Sequence, residues 1–226
     1  MSWNIQLGID VLNAIIALEE LRELRSASII FLQEMDRAGS QQIANALGYH
    51  HIYEPAAVHY KTGREFGNAV LSRRPLSNVE VVPLPHRASV QGQPRIALWA
   101  STTLGGATVE VASVHTETPS LSMRKRVQQF EAIAGAAASR SRGPVLVGGD
   151  FNTASSRAVK ALTEIMAGAG TEHLSPTSGW TLQRGGKRFT LDHLFGRGFV
   201  GRDSGVVRQL PVSDHAPLWV TLNLEE

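Results

Sequence analysis

No cysteine occurs among the 226 residues, which excludes a disulfide framework, a thiolate-held metal and a cysteine nucleophile. Any metal must then be held by oxygen and nitrogen. No apolar run approaches the roughly eighteen residues of a membrane span, and the opening "MSWNIQLG" lacks the basic-then-apolar pattern of a signal peptide. As written the chain reads as cytoplasmic; its first strand begins almost at Met1, so a truncated N-terminus, and with it export, stays open. An excess of one charge is lacking too. Twenty-two Lys+Arg against 20 Asp+Glu give a formal net charge of +2, which permits an anionic substrate without demanding a long nucleic-acid track. There is no internal repeat, low-complexity segment or linker long enough to divide the chain, so residues 1–226 are expected to form a single domain.

What is present is a globular composition, 42% hydrophobic and 19% charged, in which helical and strand-like segments are mixed. "SWNIQLG" reads as a short strand closed by Gly8. Residues 10–25 carry apolar side chains at helical spacing behind Asp10 as N-cap. "ASIIFLQEMD" is too short for a helix and reads as a buried strand ending at Gln33 and Glu34. A helix over 38–47 should stop at Gly48. "FGNAVLSRRPL", "NVEVVPL", "RIALWASTTL" and "ATVEVASVH" look like hairpins within a sheet. A helix capped at Ser120 or Ser122, a helix over 155–166, and strands at "FTLDHLF" and "APLWVTL" complete the pattern. Such a mixture implies two sheets packed together and flanked by helices.

Several of these strands end in residues that a core would not choose. "VLVGGDFNT", residues 145–153, reads as a buried strand whose glycines let the chain turn before Asp150 and Asn152. One Asp or Asn suffices for turn chemistry; two in D-x-N spacing also place both side chains on one face, at a strand tip where sites are built. Asn4, Glu34, His115, Asp192, Asp214 and His215 stand at comparable positions. Each alone has a dull explanation as a solvated end or turn residue. Together they form an acidic, histidine-containing set whose oxygens suit a hard cation such as Mg²⁺.

The ordered series "WNIQLG", "FLQEMD", "GNAVLSRRPL", "SVHTET", "GGDFN", "LDHLF" and "SDHAPL" resembles the endonuclease/exonuclease/phosphatase (DNase I-like) superfamily, in particular its compact bacterial metal-dependent hydrolases. The resemblance implies a four-layer α/β/β/α sandwich with two packed mixed β-sheets. It implies Mg²⁺, or Mn²⁺ in its place, with Glu34 as metal ligand and Asn4 and Asp214 beside it. Asp150 would activate the attacking water, with Asn152 holding that arrangement. Asp192 would orient His215 against the scissile phosphate, and His115 would act on the phosphate or leaving group. Arg95 resembles a phosphate-contacting residue, and Asn68 a motif asparagine near the site with a structural role as its alternative. His115 leans away from the abasic-site enzymes, which resemble this chain less at that position. Ser113 and Thr116 depart from the asparagine and leucine that many members carry around it.

The resemblance leaves the ester open. DNA or RNA is the leading substrate, favoured by Arg73 with Arg74, Arg124 to Arg126, and Trp180 with Lys187 and Arg188; each of these equally reads as a solvated face or a packed loop. A phospholipid or small-molecule phosphodiesterase, a phosphatase and a catalytically silent phosphate binder are the alternatives. No protein partner is indicated, and a monomer is expected. Loop 175–188 should discriminate: a basic groove favours nucleic acid, an apolar rim a lipid.

Overall fold

The structure, a computed structural model, describes residues 1–89, 92–140, 143–175, 179–208 and 210–225. One six-stranded sheet runs in the order β13 (Phe199–Val206), β14 (Leu218–Leu224), β1 (Ser2–Asn4), β2 (Ile29–Met35), β4 (Glu65–Ser72), β3 (His50–Val58). The other runs β5 (Ser77–Leu84), β6 (Arg95–Leu104), β7 (Ala107–His115), β8 (Val145–Asp150), β12 (Asp192–Arg197), β9 (Glu172–His173). Both sheets are mixed: β1 with β2, and β7 with β8, are the parallel pairs at their centres, and the other neighbours are antiparallel. A separate ribbon joins β10 (Leu182–Arg184) to β11 (Lys187–Phe189).

Three apolar clusters set the layers. Phe31, Val70 and Leu218 of the first sheet meet Leu98, Val111, Leu146 and Leu194 of the second. Behind the first sheet, Ile30 and Leu32 pack with Ala14 and Leu18 of α1 (Val11–Glu20) and Ile43 of α3 (Arg37–Leu47). Behind the second, Val145 and Val147 pack with Phe130 and Ile133 of α4 (Met123–Ser139) and Leu162 of α5 (Ser156–Gly168). The result is the expected α/β/β/α sandwich. It also explains why "IIFL" is unbroken: alternate residues of β2 enter different cores, so both faces must be apolar.

Helix ends follow the sequence closely. Asp10 accepts from the Asn13 amide, Ser155 from the Ala158 amide, and Gly48 adopts φ 66° after α3. The expected helix over 10–25 is interrupted, because Leu21 is extended (ψ 122°) and separates α1 from the short α2 (Arg22–Arg25). The first strand stops at Asn4, with Gln6–Gly8 forming a 3₁₀ turn. The middle strands do not share one sheet: β4 belongs to the first and β5 to β7 to the second. Nor do Gly148 and Gly149 make a turn. Both lie inside β8, where a methyl group on Gly148 would stand 2.4 Å from Phe31 Cδ2 and 2.5 Å from Leu194 Cδ2. Glycine there lets the two sheets approach.

Candidate active site

The central parallel strands deliver the expected site residues to one edge of the sandwich. His115 pairs with Asp150 across β7 and β8, and Asp150 with Asp192 across β8 and β12. Period-two alternation from Val111, Leu146 and Leu194 turns all three side chains toward the opposite sheet. From that sheet Asn4 reaches across: its Nδ2 donates to Asp150 Oδ2 at 3.1 Å, while its Oδ1 accepts from the Gln6 amide at 3.1 Å. Glu34 gets there by a different device. Along β2 it should face the helices with Ile30 and Leu32, but the register with β4 slips between Leu32 and Met35, and Glu34 takes φ 57°. This bulge re-aims the carboxylate.

A cavity of about 640 Å³ opens here, lined by Glu34, Arg95, His115, Asp150, Asn152, Asp214 and His215. Backbone strain concentrates on it. Among the described residues, six non-glycine residues have positive φ, and four of them, Gln6, Leu7, Glu34 and Asn152, line this cavity. Such conformations persist where the surroundings over-determine them, and function uses the resulting placement.

Asp150 is the hub. Its Oδ1 accepts from the Asn152 backbone amide at 2.8 Å, and its Oδ2 lies 3.5 Å from His115 Nε2 and 3.7 Å from His215 Nε2. The turn-forming role of Asp150 and its place in the site are therefore the same arrangement. Asn152 holds it through its backbone; its side-chain Nδ2 donates instead to the Thr116 carbonyl at 2.9 Å. His215 Nδ1 lies 2.8 Å from Asp192 Oδ2, and its carbonyl accepts from Trp3 Nε1 at 2.9 Å. Burial alone would lower the His215 imidazole, but Asp192 and Asp150 outweigh it and push it up to about 10. Burial pushes the Asp150 carboxyl up to about 7, against the lowering pull of His215 and the bonds from Asn152 and Asn4. His115 is held well below the ordinary imidazole range by burial first, then by Arg95 and His215.

Arg95 sits against the His115 ring, with Nη1 3.0 Å from Nδ1 and 2.9 Å from Nε2, and its Nη2 donates to Glu117 Oε1 at 3.3 Å. Asp214 lines the same cavity from an exposed position. Asn68 does not line it. Its Nδ2 donates to the Ile96 and Ser113 carbonyls, both at 3.0 Å, and so ties the first sheet to the second.

The donor set suits a hard divalent cation. No described residue donates a hydrogen bond to the Glu34 carboxylate, whose nearest basic atom is His115 Nε2 at 4.0 Å. Asp192 Oδ1 is buried without a partner. Among the described residues, Asp150, Asp192 and His215 are the group of acidic and imidazole ligand atoms within 4.8 Å of one another that could hold a metal ion. There, however, the His215–Asp192 bond already occupies Nδ1 and Oδ2. Among the described residues, Glu34 and Asp214 are the carboxylates of this cavity to which nothing donates a hydrogen bond.

Two basic clusters lie elsewhere. Arg73 donates to Tyr49 Oη and the Arg25 carbonyl beyond the end of β4 remote from Glu65. Arg126 is buried, and its Nη2 donates to the Phe151 and Asn152 carbonyls, so it braces the turn after Asp150. Helical periodicity gave no sign of that role. Sequence reasoning also missed Glu117, a buried carboxylate that grips Arg95, and Gln93 beside it. Of the discriminating loop 175–188, residues 176–178 fall outside the described residues. Its remainder forms the β10–β11 ribbon with Arg184, Lys187 and Arg188 exposed, and Arg184 lines the cavity. Trp180 packs under the guanidinium groups of Arg188 and Arg208.

Two mixed sheets face to face, with carboxylates, amides and histidines gathered where their central parallel strands end, define an α/β/β/α hydrolase sandwich. The chain belongs to the endonuclease/exonuclease/phosphatase family, whose sequence model matches residues 1–215; the activities in that name are hydrolyses of phosphate esters. No curated protein matches the sequence significantly. Among solved structures, it is similar to an endonuclease/exonuclease/phosphatase from Beutenbergia cavernae DSM 12333, with 20% identity over 99% of this chain and 70% of that one and a TM-score of 0.79. D. rerio TDP2 complexed with single-strand DNA product is similar at 18% identity, covering 98% of this chain and 97% of that one, TM-score 0.76. ANGEL2, a 2′,3′-cyclic phosphatase in complex with adenosine-2′,3′-vanadate, is similar at 15% identity, 95% and 86% coverage, and TM-score 0.74. Among the described residues no helix is long and apolar enough to cross a membrane.

Proposed function

We propose that residues 1–226 act as one domain and a monomer that hydrolyses phosphodiesters with a divalent cation, Mg²⁺ or Mn²⁺, and that nucleic acid is its substrate. The observation that carries this reading is Asp150, buried and held between Asn4, His115 and His215 at the floor of the cavity. Phosphoryl transfer needs little covalent chemistry from the protein, only an aligned nucleophile and compensation of charge on the phosphate. Asp150, oriented through both oxygens, positions a water and accepts its proton; a carboxyl raised toward neutrality is matched to that task. His215, kept protonated by Asp192, donates to a non-bridging oxygen. His115 is neutral, which suits hydrogen bonding to the phosphate better than protonating the departing oxygen. Glu34 would hold the cation, with Asn4 and Asp214 beside it. When bound, the cation supplies Lewis-acid stabilisation of the charge that builds on the phosphate and leaving oxygen.

Nucleic acid is favoured by the ribbon that flanks the cavity with Arg184, Lys187 and Arg188. That TDP2, of similar fold, is complexed with a single-strand DNA product supports the same choice. A second reading, a lipid diester, has one observation behind it: Leu7 lines the cavity and leads to Ile9 and Leu12, each 66% exposed. The test is hydrolysis of bis-p-nitrophenyl phosphate and p-nitrophenyl phosphate with Mg²⁺, Mn²⁺ or EDTA, beside plasmid and RNA cleavage and Asp150→Asn. Diester and polynucleotide cleavage abolished by EDTA and by Asp150→Asn is expected. Monoester cleavage alone indicates a phosphatase, cleavage of phospholipid vesicles but no polynucleotide selects the lipid reading, and no metal-dependent turnover overturns both.

A further inference from the structure

The contact between His215 and Asp192 joins chain from two different sheets. Asp192 opens β12 in the second sheet, whereas His215 stands just before β14 in the first. Each partner is tied to its own side. Asp192 pairs with Asp150 of β8. The His215 carbonyl accepts from Trp3 Nε1 at 2.9 Å, and its amide donates to Ser213 Oγ at 3.1 Å, which donates in turn to the Asn4 carbonyl at 2.7 Å. A bond of 2.8 Å between groups anchored so differently tolerates little drift of one sheet against the other.

Thr181, fully buried just before β10, is bonded to both segments. Its Oγ1 accepts from the Leu191 amide at 3.1 Å and from the Asp192 amide at 3.2 Å. Its carbonyl accepts from the Ala216 amide at 2.7 Å, directly after His215, and its own amide donates to the Phe189 carbonyl at 2.9 Å. Leu182, the next residue, forms an antiparallel bridge with His215. The open edge of β12 explains why a hydroxyl is needed. Among the described residues β9 pairs with Phe195 and Gly196 alone, so the amides of β12 ahead of them take side-chain acceptors instead: Ser175 Oγ for Leu194 at 3.0 Å, and Thr181 Oγ1 for Asp192. An apolar side chain of the same shape at 181 would leave two amides unmatched.

We propose that Thr181 is a positioning residue for the His215–Asp192 pair: its hydroxyl sets Asp192, its carbonyl sets the segment that carries His215, and the imidazole is thereby held on the phosphate. This rests on the phosphodiesterase reading above and adds a residue to the same site. Thr181 acts through its two neighbours and not on the substrate. The basic ribbon starts at Leu182, so it too is rooted beside this pair.

The test combines steady-state hydrolysis of bis-p-nitrophenyl phosphate with proton NMR on the wild-type chain, Thr181→Val and Thr181→Ser. A proton held between His215 Nδ1 and Asp192 resonates far downfield and is assigned by its loss in His215→Ala. Thr181→Val, which keeps the shape and removes the acceptor, should lower kcat about tenfold to a hundredfold with KM within about twofold, and should remove or shift that resonance. Thr181→Ser restores the hydroxyl and should keep kcat within about threefold, with the resonance in place. Thr181→Ala takes the place of the valine variant if that chain does not fold, with the same expected direction. Wild-type kcat and resonance without the hydroxyl, a serine variant as impaired as valine, a fall in kcat with an unmoved resonance, or a wild type that shows no such resonance would each overturn the inference. The two readings fail separately. A wild type that cleaves no diester removes the phosphodiesterase reading while the resonance still decides on Thr181, and one that cleaves the diester equally well as Thr181→Val keeps the function and loses the positioning role.

Discussion

His215 Nδ1 and Asp192 Oδ2 are 2.8 Å apart, and this contact fixes which nitrogen of His215 faces the cavity. Nε2 is left toward Asp150 Oδ2, 3.7 Å away. Asp192 is the largest source of the upward shift of His215 to about 10, against a burial that lowers it. His215→Ala should lower kcat by at least about a hundredfold, as loss of a positioned acid–base group does. Asp192→Asn keeps the shape and removes the charge, so the alkaline limb of the kcat/KM profile should move toward neutral pH. An unmoved limb would show that Asp192 does not hold the proton.

Asn4 makes a second prediction because its amide has two jobs. It donates to Asp150 and accepts from Gln6 at the strained turn that follows β1. Asn4→Ala should reduce kcat about tenfold to a hundredfold with a smaller change in KM, since it loosens Asp150 without removing a group that touches substrate. Asn4→Asp should do worse than alanine, by adding a like charge against Asp150. Steady-state kinetics on one diester with both variants decides this; alanine being the worse of the two would refute it.

Much of this site was legible in the sequence for a physical reason. Asn4, His115, Asp150 and Asp192 lie on strands, where period-two alternation and a run of apolar residues state which face is buried and where the strand ends. Glu34 was legible as a strand terminus, but not its direction, because the bulge that turns it depends on pairing with β4. Arg126 and Glu117 were hidden for a related reason: each is a charged residue buried by contacts with segments distant in sequence, and helical or turn context reads such residues as solvated. Residues 50–58 and 199–206 went unread as strands because β3 and β13 are sheet edges that each bury a single residue, Tyr53 and Phe199, so neither carries the apolar run or alternation that marks a strand. The sheet assignment of β4 and β5 was likewise beyond local signals, since a turn between strands looks the same whether it closes a hairpin or crosses between sheets.

Arg126 supplies a stability test. Its guanidinium is buried against the Phe151 and Asn152 carbonyls, and burial lowers its affinity for its proton while Asp150 and Glu117 oppose that. Arg126→Met retains the aliphatic stem and leaves the Phe151 carbonyl without its donor, while the Asn152 carbonyl keeps only the Ala154 amide at 2.9 Å. A loss of about 2–4 kcal/mol in urea unfolding is expected, accompanied by a fall in kcat as the turn after Asp150 loosens. Unaltered stability would mean that water replaces the guanidinium without cost.

Gly148 tests the sheet packing. A methyl group there would collide with Phe31 and Leu194, both fully buried core side chains. Gly148→Ala should cost about 3 kcal/mol, whereas Gly135→Ala on α4, where nothing lies within 4 Å, should be neutral or slightly stabilising. Equal melting midpoints for the two variants would contradict the close approach of the sheets at β8.

His193 gives the pH dependence of stability. It is buried, with Nε2 2.6 Å from Thr153 Oγ1 and Nδ1 3.1 Å from His173 Nε2, and burial followed by His173 lowers it from 6.5 to about 3. A lowered histidine stays neutral when folded but takes up a proton below pH 6.5 when unfolded, so the unfolded chain binds more protons and acid favours it. The His193 contribution is therefore complete above pH 6.5 and declines as pH falls toward 3, by at most about 1.4 kcal/mol per pH unit. His215 and Asp150, both raised, act in the opposite sense and weaken the fold as pH rises, so wild-type curves alone mix the two. The difference between wild type and His193→Asn isolates one group. Urea unfolding in EDTA from pH 4.5 to 8 should show the variant less stable at pH 8, with the gap narrowing below pH 6.5. A gap that is constant across this range would show that His193 titrates alike in both states.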